Sequence, residues 1–211
     1  MLVIDDFIKD PALLSQIDDR TNNFWETGYS WWQSSSPSVN LRHKLIDYIF
    51  LQGRVPMPTS YQGFEHWVGI YDAEGKLNTV DVNDQTGNDL IQADDRGSKK
   101  FSLVHHFDKD EFRWHESGKT EVISPSIGCI YYPPIGDQCE GGYLRVYDTQ
   151  EAKYDAPYEL IAPKHNRLIV FNPGKLHAVQ EVTKGKRYAI AINVWEEKLS
   201  NGQMAEMKEI I

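Results

Sequence analysis

The chain has 211 residues, enough for one domain with a sizeable core, and its 40% apolar and 25% charged residues are an ordinary globular balance. A formal net charge of -9 disfavours nucleic acid as a partner, because an acidic surface repels polyphosphate. No apolar run approaches the ~18 residues of a membrane span, and the acidic start Met1-Leu2-Val3-Ile4-Asp5-Asp6 lacks the basic region of a signal peptide. Cys129 and Cys139 alone argue against a disulfide framework, and their spacing does not fit a paired zinc knuckle, so a reducing, cytoplasmic setting is expected.

In chain order, Asp10-Pro11 pairs an N-cap with a proline at the first helical position, and Leu13, Leu14 and Ile17 then share a face. A second helix is expected from about Asn40 to Leu51, where Leu41, Leu45, Tyr48 and Ile49 recur at helical spacing. Trp25, Trp31 and Trp32 lie between the two and read as packing residues in a mostly helical support layer over about residues 1–60. Phe64–Tyr71 reads as a strand closed by a turn at Asp72–Gly75. The polar stretch Asn78–Lys100 reads as a long loop, of the kind that often serves as a lid. Short strands follow at Phe101–His106, Glu121–Tyr132, Gly142–Asp148, Tyr158–Ile161, Arg167–Phe171, Ala178–Val182 and Tyr188–Val194. The expected fold class is α+β, mainly β: N-terminal helices supporting a sandwich or barrel over about residues 101–196.

Three features within the β-region suggest a metal centre. His106 and Asp108 are two apart at the end of a strand, so they can face one ion, and imidazole with carboxylate suits a divalent first-row metal. His177 follows the turn Asn172–Leu176 and could complete a two-His-one-carboxylate face with open positions. Arg187 lies ten residues beyond His177, across the turn Thr183–Lys186, where a hairpin would return its guanidinium to the ligands as a bidentate clamp for a dicarboxylate.

The segments Ile127–Tyr132, Gly141–Val146, Pro163–Phe171, His177–Gln180 and Arg187–Ile190, with the His106-Phe107-Asp108 motif, resemble the catalytic domain of prolyl 4-hydroxylases in the 2-oxoglutarate oxygenase superfamily. The chain is especially similar to the hydroxylases of a hypoxia-regulated transcription factor, and to small hydroxylase-like proteins of marine bacteria and phages. The resemblance covers about half the chain, from His106 to Trp195. It implies a double-stranded β-helix (jelly-roll, cupin-like) core within a single domain spanning residues 1–211. It further implies Fe(II) held by His106, Asp108 and His177, with 2-oxoglutarate and O2 as cosubstrates and ascorbate as an accessory reductant. Arg187 and Tyr132 would then hold the 5-carboxylate of 2-oxoglutarate, and Ile130 and Leu144 would line its pocket. Strand alternation agrees, since Ile130 and Tyr132 share a face and Tyr131 points away. Two departures bear on substrate: Asp94–Lys100 replaces a tyrosine-rich segment, and Asn193 stands where the closest relatives carry tryptophan, with Trp195 two residues on.

Competing residues are weaker candidates. His105 faces away from Asp108 in a strand, His115 and Glu116 would diverge as strand neighbours, and His43, His66 and His165 read as structural. Lys186 is a poorer fork than Arg187. Gly141-Gly142 reads as a hairpin turn whose bare backbone permits close packing, and Lys109-Asp110-Glu111 as solvated surface. Three functions remain open. The first is hydroxylation of a proline in a peptide or protein partner, releasing succinate and CO2. The second is hydroxylation of a free amino acid or other small metabolite, favoured by a second charged clamp in the pocket. The third is a cupin-like metal-binding module without oxygenase activity. Irving–Williams order allows nickel or copper in the purified site in place of iron.

Overall fold

The computed structural model describes residues 1–19, 21–26, 28–51, 55–73, 75–78, 101–133, 139–205 and 207. Of the expected lid loop Asn78–Lys100, residues 79–100 lie outside them. The N-terminal part comprises β1 (Leu2–Ile4), α1 (Pro11–Asp18), a 3-10 turn at Asn23–Trp25, β2 (Ser30–Gln33) and α2 (Leu41–Leu51). Next come β3 (Gly63–Asp72), β4 (Gly75–Asn78), β5 (Phe101–His106), α3 (Glu111–Glu116), β6 (Ile127–Tyr132), β7 (Glu140–Gly141) and β8 (Leu144–Tyr147). The chain continues through β9 (Tyr158–Ile161), β10 (Arg167–Phe171), β11 (His177–Gln180), β12 (Val182–Lys184), β13 (Lys186–Trp195) and α4 (Asn201–Ala205).

Helix α1 starts where the sequence supplies a cap: the Asp10 side chain accepts from the N–H of Ala12 (2.9 Å) and Leu13 (3.3 Å). Leu13 and Ile17 are its buried side chains, and α1 and α2 together cover one face of the large sheet. The N-terminal region is less helical than its pattern suggests, because β1 and β2 join that sheet. Trp31 and Trp32 sit in β2, paired with Glu65 and Phe64 of β3. Trp32 stacks on His43 of α2 at 4.4 Å, so the tryptophans join strand to helix.

A seven-stranded sheet runs β1-β10-β6-β13-β3-β2, with β4 added on β3, and a four-stranded sheet runs β5-β11-β8-β9. All the pairings are antiparallel. The large sheet is buried on both faces. Tyr131, Leu168, Ile190, Ile192 and Val194 pack with the helices, while Ile130, Tyr132, Ile169, Phe171 and Ala189 pack toward the small sheet against Leu144, Val146 and Val179. Double burial explains why β6, β10 and β13 read as near-continuous apolar runs.

Two sequence expectations fail around residue 115. The strand expected from Glu121 begins only at Ile127, and Glu111–Glu116 is helix α3. Asp110 is fully buried where solvated surface was expected: its carboxylate accepts from Arg113 N (3.0 Å), Ser200 N (2.6 Å) and Ser200 Oγ (2.7 Å), capping α3 and tying down the segment before α4.

Asn166 fastens the N-terminal region to the sheet. It occupies the left-handed region (φ 55°) in the turn before β10, a conformation asparagine tolerates. Its Oδ1 accepts from Ile8 N and Tyr131 Oη, and its Nδ2 donates to Ile8 O, all at 3.0 Å. Asn166→Ala strands three buried polar groups, and a loss of about 2–4 kcal/mol is expected in urea denaturation. Asn166→Asp keeps the acceptor and is expected to lose less.

Candidate metal centre and the adjoining cavity

The centre is assembled by pairing strands distant in sequence. His106 at the end of β5 is the direct register partner of His177 at the start of β11, which places the two rings 4.1 Å apart. Asp108 lies just past β5, where its N–H donates to Pro173 O (3.0 Å) in the turn that leads into β11. Asp108 Oδ1 is 3.5 Å from His106 Nε2 and 3.7 Å from His177 Nε2. The three donor atoms fall within 4.8 Å of one another, the one such group among the described residues.

Ring orientation matches metal chemistry. His106 Nδ1 lies 2.8 Å from Val104 O and His177 Nδ1 lies 2.8 Å from Lys175 O, in each case a carbonyl two residues earlier. A carbonyl can only accept, so each Nδ1 carries the proton and each Nε2 lone pair is directed at the shared centre. Burial and the adjacent His177 lower the His106 pKa, which keeps the neutral, ligating form available. The donor set therefore fits a divalent first-row metal such as Fe(II).

Arg187 projects from β13 into the cavity that also contains His106, Asp108 and His177. It is 3% exposed, whereas its neighbour Lys186 is exposed. Arg187 Nε donates to Gly142 O (3.0 Å) and Nη2 to Tyr132 Oη (2.9 Å), and the guanidinium lies over the rings of Tyr132 and Tyr71. Gly142 has a positive φ (64°), and a Cβ there would sit 2.9 Å from Arg187 Cδ, so the close approach that seats the arginine needs glycine. Ile130 and Leu144 line the same cavity, which is open to solvent. Trp67, with Tyr29 packed against it at 5.1 Å, and Phe171 supply aromatic walls.

The remaining histidines are elsewhere. His105 is buried on the other face of β5, within 2.8 Å of Tyr147 Oη and packed on Phe101. His115 lies on α3, and His165 is exposed in its turn. His43 stacks on Trp32, and neither ring nitrogen of fully buried His66 has a hydrogen-bond partner among the described residues.

Sequence reasoning missed Glu65. It is buried behind Asp108, and its Oε2 accepts from Asn193 Nδ2 (3.3 Å) and Trp195 Nε1 (3.1 Å). Asn193 Nδ2 also donates to Asp108 Oδ2 (3.1 Å). Burial, and then the charge of Asp108, push the Glu65 carboxyl up to about 7. Its one sequence signal is a lone carboxylate within an otherwise buried strand.

Residues 92–195 match the family model of the 2OG-Fe(II) oxygenase superfamily. The chain thus carries a 2OG-Fe(II) oxygenase domain and is an enzyme of the 2-oxoglutarate-dependent dioxygenase class, with the β-rich α+β fold of a double-stranded β-helix. Among solved structures it is similar to a prolyl-4-hydroxylase from Pseudomonas putida (13% identity, 93% of this chain and 92% of that chain, TM-score 0.48). It is also similar to a prolyl hydroxylase from Trichoplax adhaerens, solved in complex with a hypoxia inducible factor peptide fragment (14% identity, 99% and 87%, TM-score 0.46). A third similar structure is iron-bound HygX from Streptomyces hygroscopicus (12% identity, 92% and 81%, TM-score 0.44). No curated protein matches the sequence significantly.

The raised Glu65 pKa has a consequence for stability. The unfolded carboxyl ionises near 4.5 and the folded one near 7, so between these values the folded state holds the extra proton. Stability must therefore fall as pH rises from about 4.5 to about 7. In metal-free protein, urea denaturation across that range is expected to show Glu65→Gln gaining a few kcal/mol relative to wild type as pH rises; parallel curves would show that Glu65 is already ionised when folded.

Proposed function

We propose that this dioxygenase binds Fe(II) through His106, Asp108 and His177, binds 2-oxoglutarate through Arg187 and Tyr132, and hydroxylates a proline in a peptide or protein substrate. The observation that carries this reading is the convergence, in one cavity, of three neutral-or-anionic metal donors and a buried guanidinium. Among the described residues, no acidic side chain pairs with that guanidinium.

Iron(II) and 2-oxoglutarate, when bound, activate O2 for hydroxylation of an unactivated C–H, with loss of succinate and CO2. The chain's own residues bind, orient and exclude water. Arg187 is a planar fork suited to the distal carboxylate of the cosubstrate, already oriented by Gly142 O and supplemented by the Tyr132 hydroxyl. Ile130 and Leu144 provide apolar walls for its methylene chain. With Arg187 so used, the described lining holds no second cation for a free amino acid's carboxylate, and its aromatic walls suit a proline ring. That contrast favours the peptide over the small metabolite.

Residues 1–211 are read as one oxygenase domain, since Asn166 and the β1–β10 pairing bind the N-terminal region to the catalytic sheet. Cys129 and Cys139 are free, in keeping with a cytoplasmic setting, and no helix among the described residues is long and apolar enough to cross a membrane.

The test is succinate formation by anaerobically prepared, Fe(II)-loaded protein after O2 is admitted, with and without proline-containing peptides. Wild type is expected to form succinate faster with peptide and to add one oxygen atom to the proline. His177→Ala and Arg187→Ala are expected to lose at least 100-fold, the latter with weakened 2-oxoglutarate binding. Absence of both 2-oxoglutarate binding and succinate would sink the reading; stimulation by free amino acids alone would replace the substrate.

A further inference from the structure

We infer that Asn193 is a positioning residue for the metal centre: its amide holds Asp108 so that one carboxylate oxygen faces the two histidines and the other is occupied. The inference rests on the ligand assignment proposed above and concerns a position where the sequence departs from the prolyl hydroxylases it resembles.

The carboxylate of Asp108 is divided between two tasks. Oδ1 is the atom near both Nε2 donors, at 3.5 and 3.7 Å, whereas Oδ2 accepts from Asn193 Nδ2 at 3.1 Å. The amide orientation is fixed by chemistry, because its nitrogen also lies 3.3 Å from Glu65 Oε2, and only an NH2 group can donate to two carboxyl oxygens. Glu65 is in turn held by the indole N–H of Trp195. Asn193 and Trp195 lie on β13, two residues apart and hence on the same face, and Asn193 is the register partner of Glu65 on β3. Two central strands of the large sheet thus form a rigid brace behind a ligand that lies outside any strand.

The brace has a chemical consequence. With Oδ2 engaged by Asn193, Asp108 would offer a bound metal one oxygen, Oδ1. Losing the amide would free Oδ2 to swing toward the metal or toward water and would leave Glu65 with a single donor. Partners of this kind alter metal affinity by about 10- to 100-fold when removed.

The test uses metal-free full-length protein and Mn(II), followed by electron paramagnetic resonance, with Co(II) visible absorption as a report on ligand number. Asn193→Leu, similar in volume but unable to donate, is expected to weaken Mn(II) binding at least tenfold and to alter the Co(II) spectrum, while the melting curve confirms a folded protein. Glu65→Gln keeps the acceptor that anchors the amide and is expected to bind Mn(II) within about twofold of wild type, whereas Glu65→Met removes that anchor and weakens binding. Wild-type affinity and an unchanged Co(II) spectrum in folded Asn193→Leu would overturn the inference. Should that variant fail to fold, equal affinities in Glu65→Gln and Glu65→Met would overturn it instead. Failure of wild type to bind Mn(II), or retention of binding in His177→Ala, would point to the ligand assignment itself and bring this inference down with it.

Discussion

The pairing of β5 with β11 is the constraint on which the centre depends. It sets His106 directly across from His177, and each ring is then oriented by a carbonyl two residues earlier in the chain, Val104 O in β5 or Lys175 O in the turn before β11. A ring held in this way presents a lone pair without relying on a third side chain, so ligand geometry follows from backbone geometry. The register shifts just beyond the pair, between His177 and Val179, let β11 depart from regular pairing without disturbing the histidines. The small sheet thus fixes the imidazoles, while the large sheet supplies the guanidinium and the brace on Asp108.

Charge is distributed along the cavity in a definite order. Arg187 lies at one end among tyrosines, and Asp108 lies with Glu65 behind it at the other. Burial, and then the nearby charge of Asp108, drive Glu65 toward its neutral form. A neutral carboxyl satisfied by an indole and an amide is a tolerable buried group, whereas an unpaired anion would not be.

Much of this is legible in the sequence. His106, Asp108, His177 and Arg187 could be named because strand period and hairpin return are short-range properties that tie residue type to face. The brace was not legible. Asn193 and Glu65 meet only through the β3–β13 ladder, and that register has no local signature when both faces of a sheet are buried and alternation is erased. Helix α3 was missed for a different reason. Its cap, Asp110, is a charged residue that reads as solvated, yet it is buried through its bonds to Ser200, far along the chain. The tryptophans of β2 were recognised as packing residues but not as an edge strand, because three aromatics in a short segment give no period.

Strand β13 shows how little of the chain the site needs. Its residues alternate strictly between two environments: Ile190, Ile192 and Val194 enter the helix-covered core, while Arg187, Ala189, Ala191 and Asn193 face the cavity. At ~6.6–6.8 Å for each pair of residues, the arginine and the asparagine are separated by roughly 20 Å of strand. The two alanines between them leave space that larger side chains would fill. The β13 side of the cavity is therefore a run of small residues bounded by one cation and one amide. A slip of one residue against β3 would drive Arg187 into the apolar core and expose isoleucines to the site. The ten-residue ladder that prevents the slip also positions the brace, so fold specificity and site geometry are one constraint in this sheet.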